Sequence, residues 1–328
     1  MKFCLREKNI ILGLIDLNKT IIKYKNIINK ELSSVYPVGP ELLKNPINHI
    51  LNGGKRVRPL LCMLVNNACG GKLEKSVKPA LSIELLHIFS LVHDDIMDND
   101  SLRHGIPTIH QKWNNSIAIL SGDAILALAF RELNSSTNLI KQKFNSALIA
   151  VCEGQALDIE YQNIDKISLK QYFDMINLKT AYMLGLSAEI GALLAIDDHE
   201  IVENFRKIGF LIGKVFQIQD DLLEITSDSS IMGKSLSSDI ILNKKTYLMI
   251  KAEEKFPGML DNIYKKNNKN QILLKKEIVS FLKENNLILE TKDYISKIFK
   301  EIDDLLISSE IKNENILDLI NFIKQRKS

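Results

Sequence analysis

The sequence is poor in the two residues that most often interrupt helices. It contains 7 prolines and 15 glycines among 328 residues, and many long segments contain neither. Convincing alternation of apolar and polar residues, which is typical of strands, is missing as well. These absences predict an all-α protein.

Cysteines are few and do not form a metal-binding pattern. The four are Cys4, Cys62, Cys69 and Cys152, and no two of them make a CxxC motif. We therefore expect neither a disulfide framework nor a zinc site. This use of cysteine favours a reducing cytoplasm as the location.

Long hydrophobic runs are also missing. No apolar run approaches the roughly 20 residues that a membrane-spanning helix needs. The segment from Met1 to Asn29 carries a charged residue every few positions, unlike the apolar core of a signal peptide. The net charge is only +3, from 43 basic and 40 acidic residues. We expect no transmembrane segment and no nucleic-acid partner.

Apolar residues recur at helical spacing along most of the chain, and hydrophobic residues make up 45% of it. This content is ample for a large core, and we expect 1–328 to form one domain. The small, polar segment 226–238 predicts a loop, with two to four further helices after it. Before that loop, helices are expected at 8–33, 58–69, 77–98, 113–134, 140–163, 169–196 and 199–225, and Pro40, Pro46 and the Gly53-Gly54 pair bracket a further short helix.

Two acidic clusters lie at the C-terminal ends of apolar helical segments. In each, two carboxylates stand one helical turn apart with a third beside them. Charge runs are usually solvated helix ends. Here the like charges at i,i+4, the unfavourable end of the helix dipole and the apolar flanks all disfavour that interpretation, so a compensating cation is needed. The members are Asp94, Asp95 and Asp98 in the first cluster, and Asp220, Asp221 and Glu224 in the second.

All these candidate ligands are oxygen atoms, which hard divalent ions prefer. Mg²⁺ fits best, because it keeps some of its waters and shares phosphate oxygens with a substrate. The alternative is a di-iron carboxylate bundle, which needs a Glu-x-x-His pair on each of two helices. Glu84 and His87 supply one such pair, and the sequence offers no second.

A basic turn precedes one of the expected helices. In its GGKRVRP sequence, Lys55, Arg58 and the backbone amides suit a diphosphate. His87 lies seven residues before Asp94 on about the same helix face, so ligand binding and core packing are equally supported for it. Further cations follow the acidic clusters or interrupt an apolar helix: Arg103, Lys179, Lys234 and Lys244.

Together these motifs resemble those of the trans-prenyltransferase, or polyprenyl synthetase, family, whose members make farnesyl, geranylgeranyl and longer diphosphates. The resemblance covers about residues 50–250, with the motifs in matching order and spacing. Each motif alone is weak, but the combination is highly specific. The motifs are GGKRVRP, HDDIMDNDSLRHGIPTIH, LSGDAIL, EGQALDIEY, LKTAYML, FQIQDDLLE and GKSLSSDIILNKKT.

The resemblance implies a fold, an assembly and a reaction. The fold would be an isoprenoid synthase-type bundle of many helices around a central cavity, and the assembly would be a homodimer. The reaction would join isopentenyl diphosphate head to tail to an allylic diphosphate (dimethylallyl, geranyl or farnesyl), giving a short-chain all-trans product. Two or three Mg²⁺ ions per active site would assist it.

The resemblance also implies roles for individual residues. Isopentenyl diphosphate would be held by Lys55, Arg58 and His87, with His104 beside them. Mg²⁺ would be held by Asp94, Asp95 and Asp98 on one wall and by Asp220, Asp221 and Glu224 on the other. The allylic diphosphate would contact Arg103, Lys179, Lys234 and Lys244, and Thr180 and Gln217 would lie beside the developing carbocation.

Two positions depart from the family pattern. His104 stands where the family commonly has a second arginine, so weaker or pH-sensitive binding of isopentenyl diphosphate is expected. Glu224 ends the second cluster where aspartate is usual, which is a conservative change for a carboxylate.

Product length should depend on the residues just before the first cluster. Phe89 and Ser90 lie there, about one turn before Asp94. The resemblance associates one ring beside a small residue with short products, and C20 is favoured over C15. Packing of Phe89 in the core is an equally supported interpretation.

Two other functions share part of this residue pattern. A cyclase or head-to-head coupling enzyme would keep the acidic helices but lack the pocket for a second diphosphate. A non-catalytic subunit of a heteromeric synthase is disfavoured, because both acidic clusters are intact. The C-terminal segment Gln325-Arg326-Lys327 is expected to be frayed and solvated, and closure over a bound diphosphate, as in relatives, is the alternative.

Overall fold

The computed structural model describes residues 19–226, 244–267, 270–312 and 314–326. Within these ranges the chain is almost entirely helical. Two strands of two residues each, β1 (Leu102–Arg103) and β2 (Ile106–Pro107), pair antiparallel. The helices are α1 (Lys19–Ser33), α2 (Glu41–Leu51), α3 (Val57–Ala68), α4 (Leu73–Met97), α5 (Ile109–Lys112), α6 (Asn115–Glu132), α7 (Asn138–Gln162), α8 (Leu169–Ile176), α9 (Tyr182–Leu193), α10 (His199–Thr226), α11 (Tyr247–Lys255), α12 (Met259–Asn267), α13 (Gln271–Glu284), α14 (Leu287–Ser308) and α15 (Glu314–Lys324).

The centre of the bundle contains helices that are apolar on nearly every face. Every residue of α9 from Met183 to Ala192 is buried. This helix packs against α3 and α10, while α4 packs against α6. A helix that is apolar all round must be surrounded by other elements. Both helices that carry an acidic cluster, α4 and α10, are therefore anchored in the core.

The hydrophobic core runs the length of the described chain. Buried side chains from Ile21 in α1 to Ile323 in α15 belong to one cluster. Among the described residues, no helix combines the length and the apolar character that crossing a bilayer would require.

A π-helical turn, Asn177–Ala181, separates α8 from α9. Helix α8 begins at a capping box, in which the Gln171 N–H donates to Ser168 Oγ and the Ser168 N–H donates to Gln171 Oε1 at 3.0 Å. After eight residues the helix widens into the π-helical turn. Such turns are rare and are frequent at functional sites, and this one carries Lys179 and Thr180.

The all-α prediction is confirmed, and most expected helices end within a few residues of the observed bounds. The segment 169–196 is not one helix, because the π-helical turn divides it. Five helices follow residue 244 in the described chain, where two to four were expected. The first expected helix is described only from Lys19, and the expected loop lies outside the described residues except for Thr226, which ends α10.

Candidate functional site

The first acidic cluster lies at the C-terminal end of α4. Asp94 and Asp98 are partly buried there, one helical turn apart. Burial raises the pKa of Asp94 above its ordinary value; the nearby Lys179 opposes this shift and Asp98 adds to it. A bound cation would offset both the desolvation and the repulsion between the two carboxylates.

Asp95, in contrast, is engaged with Arg103 from strand β1. Its carboxylate is 1% exposed, and Arg103 Nε donates to Asp95 Oδ1 at 2.8 Å. Arg103 Nη2 also contacts that oxygen and lies 3.3 Å from Asp100 Oδ2. Burial raises the pKa of Asp95 to about 6, with the Arg103 charge opposing the shift. The pair fixes the hairpin beside the cluster, while a metal-binding role for Asp95 stays a prediction.

The π-helical turn brings Lys179 to the first cluster. Lys179 Nζ lies 2.5 Å from Asp158 Oδ2 on α7 and 3.8 Å from Asp94 Oδ2. Burial alone would lower the pKa of Lys179, but Asp94 and Asp158 together raise it above its ordinary value. Lys179 is therefore a fixed positive charge facing the carboxylates.

Gly154 in α7 allows this close approach. A Cβ atom at Gly154 would lie 2.4 Å from the backbone nitrogen of Lys179 and 2.7 Å from its Cα. A distance below 3 Å to backbone atoms is not tolerated without a shift of one helix. The EGQALDIEY segment thus supplies both the space and, through Asp158, the counter-charge for the π-helical turn.

The second acidic cluster lies near the C-terminal end of α10, and its most buried member is already satisfied by protein donors. Asp221 Oδ2 accepts from the Tyr172 hydroxyl at 2.7 Å and from the Tyr247 N–H at 2.9 Å. Its Oδ1 accepts from Gln217 Nε2 at 3.1 Å. Asp220 and Glu224 are only partly buried. Asp221 therefore ties α8 and α11 to α10 beside the more accessible Asp220.

Two connections link the neighbourhoods of the two clusters. The Thr180 hydroxyl donates to Gln217 Oε1 at 3.1 Å, so the residue after Lys179 touches α10 one turn before the second cluster. From the other direction, Lys244 Nζ approaches Asp98 Oδ2 at 3.8 Å. Predicted site residues from distant parts of the sequence are thus brought together. Lys234, predicted with them, lies outside the described residues.

Among the three cations of the GGKRVRP turn, Arg56 has a structural role. Arg56 has a left-handed φ of 59° and is buried, with Nη1 2.8 Å from Glu84 Oε1 and Nη2 2.6 Å from the Leu51 carbonyl oxygen. It fixes the turn. Burial lowers the pKa values of both Lys55 and Arg58, and the charge of Asp220 opposes this shift in each.

Burial changes the ionisation of this basic half. Desolvation and the nearby Arg326 lower the pKa of Lys55 to about 8, and desolvation lowers that of Arg58 to about 10. Burial and the charge of Arg58 hold the pKa of His87 well below its ordinary value, so the imidazole is neutral. His104, at a left-handed φ of 52°, is close enough to contribute to that shift. Desolvated cations of this kind gain from a bound anion.

The predicted chain-length residues lie along α4 before Asp94. Phe89 is 8% exposed and its ring packs against the imidazole of His93, with centroids 4.7 Å apart. Ser90 Oγ donates to the His87 carbonyl oxygen at 2.8 Å. Ser90 thus keeps its hydroxyl bonded to its own helix and presents little volume beside the ring.

The residues present fit Mg²⁺ rather than iron. Asp94, Asp98 and Asp220 offer only oxygen donors, as a hard ion requires. Within the described residues no three acidic, histidine or cysteine side chains converge into a complete metal cage. Mg²⁺ commonly binds through one or two carboxylates together with substrate phosphates. The di-iron alternative loses its one Glu-x-x-His pair, because Glu84 is held by Arg56.

Two residues at the site were not singled out in the sequence, and a third was expected to be solvated. Asp158 lies within the EGQALDIEY motif, where apolar residues stand on either side of it. Tyr172 carried no signal, because its role depends on a contact across 49 positions. Arg326 had been placed in a frayed terminus, but its Nη2 lies 2.6 Å from Asp220 Oδ1.

An all-helical bundle that brings acidic and basic side chains of distant segments together is typical of isoprenoid synthases. The profile of the polyprenyl synthetase family matches residues 40–282. That range is well over half of the chain and includes both walls. The protein belongs to the polyprenyl synthetase family.

Individual relatives and solved structures agree with this membership. The geranylgeranyl diphosphate synthase of Saccharolobus solfataricus is 36% identical over 246 residues, covering 72% of this chain and 74% of the relative. The geranylfarnesyl diphosphate synthase of Natronomonas pharaonis is 34% identical, covering 73% and 77%. The crystal structure of geranylgeranyl pyrophosphate synthetase from Pyrococcus horikoshii superposes with a TM-score of 0.87 at 30% identity, covering 94% of this chain and 97% of that chain.

Proposed function

We propose that this prenyltransferase condenses isopentenyl diphosphate head to tail with an allylic diphosphate, and that its main product is the C20 diphosphate. The observation that carries the proposal is the position of Lys179 and Thr180. Their π-helical turn touches Asp94 on one wall and Gln217 on the other, so both carboxylate clusters face one site. Relatives named as geranylgeranyl diphosphate synthases support the C20 product.

The two diphosphates would occupy different parts of the site. The allylic diphosphate would lie between the walls, within reach of Arg103, Lys179, Lys244 and, outside the described residues, Lys234. Isopentenyl diphosphate would be held by Lys55, Arg58, His87 and His104. Two or three Mg²⁺ ions would supply Lewis-acid stabilisation of the leaving diphosphate. Carboxylates of Asp94, Asp98 and Asp220 would hold these ions, and in our prediction those of Asp95, Asp221 and Glu224 would hold them as well.

The chain's own residues then act mainly by electrostatics. Lys179 and Arg103 stabilise negative charge as the allylic C–O bond breaks. The Thr180 hydroxyl and the Gln217 amide lie beside the delocalised carbocation, and the apolar core excludes water from it. The isopentenyl double bond attacks this cation, and the proton that is then lost passes to the departing diphosphate. No side-chain nucleophile is needed.

We also propose a homodimer, in which a second copy covers exposed apolar side chains of α6 and α7. Six large apolar side chains are exposed on these two helices, and a partner would remove them from water. The resemblance to homodimeric enzymes supports a second copy as the partner. Sedimentation velocity should give twice the monomer mass, and Ile149→Asp should halve it. The exposed residues are Ile119, Leu120 and Phe130 on α6, and Leu139, Ile149 and Ile159 on α7.

A single assay tests the proposed reaction. The purified protein is incubated with Mg²⁺, labelled isopentenyl diphosphate and each allylic primer in turn, and the dephosphorylated products are separated by chromatography. We expect C20 product from all three primers and none when EDTA is added. Turnover only with an added partner protein would identify a subunit of a heteromeric synthase. Consumption of an allylic diphosphate without incorporation of label would identify a cyclase or a head-to-head enzyme.

A further inference from the structure

The imidazole of His93 fills the space between the first acidic helix and α6. His93 follows Phe89 by four residues on α4, so their side chains are neighbours on one helix face. Their ring centroids are 4.7 Å apart and the planes are tilted by 59°. This separation lies within the range of attractive aromatic pairs.

The other edge of the imidazole meets the backbone of α6. A Cβ atom at Gly122 would lie 2.3 Å from His93 Nε2 and 2.5 Å from its Cδ2. The ring therefore occupies the volume that any side chain at position 122 would need. It is wedged between Gly122 on one side and the Phe89 ring on the other, so neither ring can move independently.

No polar partner explains this position. His93 Nε2 is buried and has no hydrogen-bond partner within the described chain. The carboxylate recorded near it, Asp123 Oδ1, is 3.8 Å away, which is too far for a hydrogen bond. Leaving a ring nitrogen unsatisfied costs stability. The contribution of the imidazole at this position is therefore its packing against the Phe89 ring.

We infer that His93 is a positioning residue for product length, acting by holding the ring of Phe89 in place. The inference rests on the proposed function and on the expectation that Phe89 limits product length, which together would have the allylic tail pass back along α4 from Asp94 towards Phe89. With His93 fixed by Gly122, the Phe89 ring cannot turn into the α4–α6 contact and must stay as the end of the available space. Without the imidazole, Phe89 can turn into the vacated volume and longer tails fit.

The test compares product distributions rather than rates. Four proteins are compared: wild type, His93→Ala, Phe89→Ala and the double variant. Each is incubated with farnesyl diphosphate and labelled isopentenyl diphosphate, and the ratio of C25 product to C20 product is measured. We expect His93→Ala to raise this ratio by about two- to tenfold, the range expected for loss of one aromatic pair. If His93 acts through Phe89, the double variant gives the same ratio as Phe89→Ala alone. His93→Asn, which lacks the ring but retains polarity, is the second variant should His93→Ala fail to fold.

The outcomes are distinguishable. A lower melting temperature with an unchanged ratio in both His93 variants means that the imidazole only packs the core, and it overturns the inference. So does a further increase of the ratio in the double variant, because His93 then acts independently of Phe89. Asp123→Asn is the matched control: a shift as large as that of His93→Ala would assign the effect to charge instead of shape. A wild-type protein that makes no prenyl diphosphate would refute the proposed function itself.

Discussion

Arg326 Nη2 lies 2.6 Å from Asp220 Oδ1, so the residue two positions after α15 reaches the second acidic cluster. The guanidinium lies over the Phe216 ring at 3.9 Å, and its side chain is 9% exposed. Its Nε and Nη1 are buried without a hydrogen-bond partner among the described residues. The expectation of a solvated terminus is therefore wrong for Arg326, whose remaining donors are buried beside the site.

Arg326→Ala should weaken binding of isopentenyl diphosphate. The guanidinium is close enough to Lys55 to lower its pKa, so both cations can contact one diphosphate. Loss of a charged hydrogen-bond donor typically costs about tenfold or more in affinity, and we expect the KM for isopentenyl diphosphate to rise by that factor.

Lys324→Ala provides the control for Arg326→Ala. It removes a positive charge from the same end of the chain, but Lys324 pairs with Asp303 at 3.1 Å instead of reaching the site. Its KM for isopentenyl diphosphate should stay within about twofold of wild type. Equal KM values for both variants and wild type would assign Arg326 to packing alone.

Asp158→Asn should impair the reaction through Lys179. Without this carboxylate, Lys179 loses its 2.5 Å partner, its pKa falls and its position over the first cluster is no longer fixed. We expect kcat/KM for the allylic diphosphate to fall by about 10- to 100-fold. Steady-state kinetics at several allylic substrate concentrations measure it.

Asp174→Asn is the matched substitution for that experiment. Asp174 also pairs with a lysine, Lys170 at 2.6 Å, but both side chains are well exposed on α8. Exposed pairs of this kind contribute little, so the variant should behave as wild type. A loss of kcat/KM comparable to that of Asp158→Asn would show that the effect is not specific to Lys179.

Features that depend on a local residue pattern could be predicted from the sequence. Features that depend on contacts between distant parts of the chain could not. The acidic clusters could be predicted because i,i+4 carboxylates on apolar helices are locally unfavourable. In the GGKRVRP turn, the sequence pointed to Lys55 and Arg58 as ligands of isopentenyl diphosphate, and this stays a prediction. The sequence could not show that Arg56 is held by Glu84, 28 positions away, or that Asp95 and Asp221 are engaged by Arg103 and Tyr172.

The π-helical turn was missed because its apolar spacing is that of an ordinary helix. The single-domain assignment and the roles of the site residues stay predictions.

The affinity for isopentenyl diphosphate should depend on pH through Lys55. Burial lowers the pKa of Lys55 to about 8, so the free enzyme carries the charged form at pH 7 and largely the neutral form at pH 9. In the proposed site it is the ammonium form that binds the diphosphate, so the KM should rise by about tenfold between these pH values. In Lys55→Arg the guanidinium stays protonated throughout, and this rise should disappear. A pH profile that is the same in both proteins would exclude Lys55 as its cause.

Tyr172→Phe should destabilise the fold around the second wall. The hydroxyl donates to the buried Asp221 carboxylate at 2.7 Å, and a charged acceptor that loses a buried donor costs about 1–3 kcal/mol in the free energy of unfolding. Urea denaturation measures the change. Tyr294→Phe is the comparison, because Tyr294 stacks on Tyr247 at 5.6 Å through its ring, which phenylalanine retains. Equal stability of the two variants would show that the Tyr172 hydroxyl contributes nothing.

Phe89→Ala should lengthen the product. In the proposed site the allylic tail extends from Asp94 towards Phe89. Of the two predicted chain-length residues, Phe89 and Ser90, Phe89 has the larger side chain, and its ring is buried. Replacing the ring with a methyl group removes the obstacle, and the main product should move from C20 to C25 or longer. Core packing predicts a different result: truncating a buried phenylalanine costs about 3–5 kcal/mol of stability wherever it lies, but it leaves the product unchanged. Chromatography of the dephosphorylated products, together with a melting curve of the same sample, separates the two. An unchanged product together with a lowered melting temperature would show that Phe89 packs in the core and does not limit the length of the product.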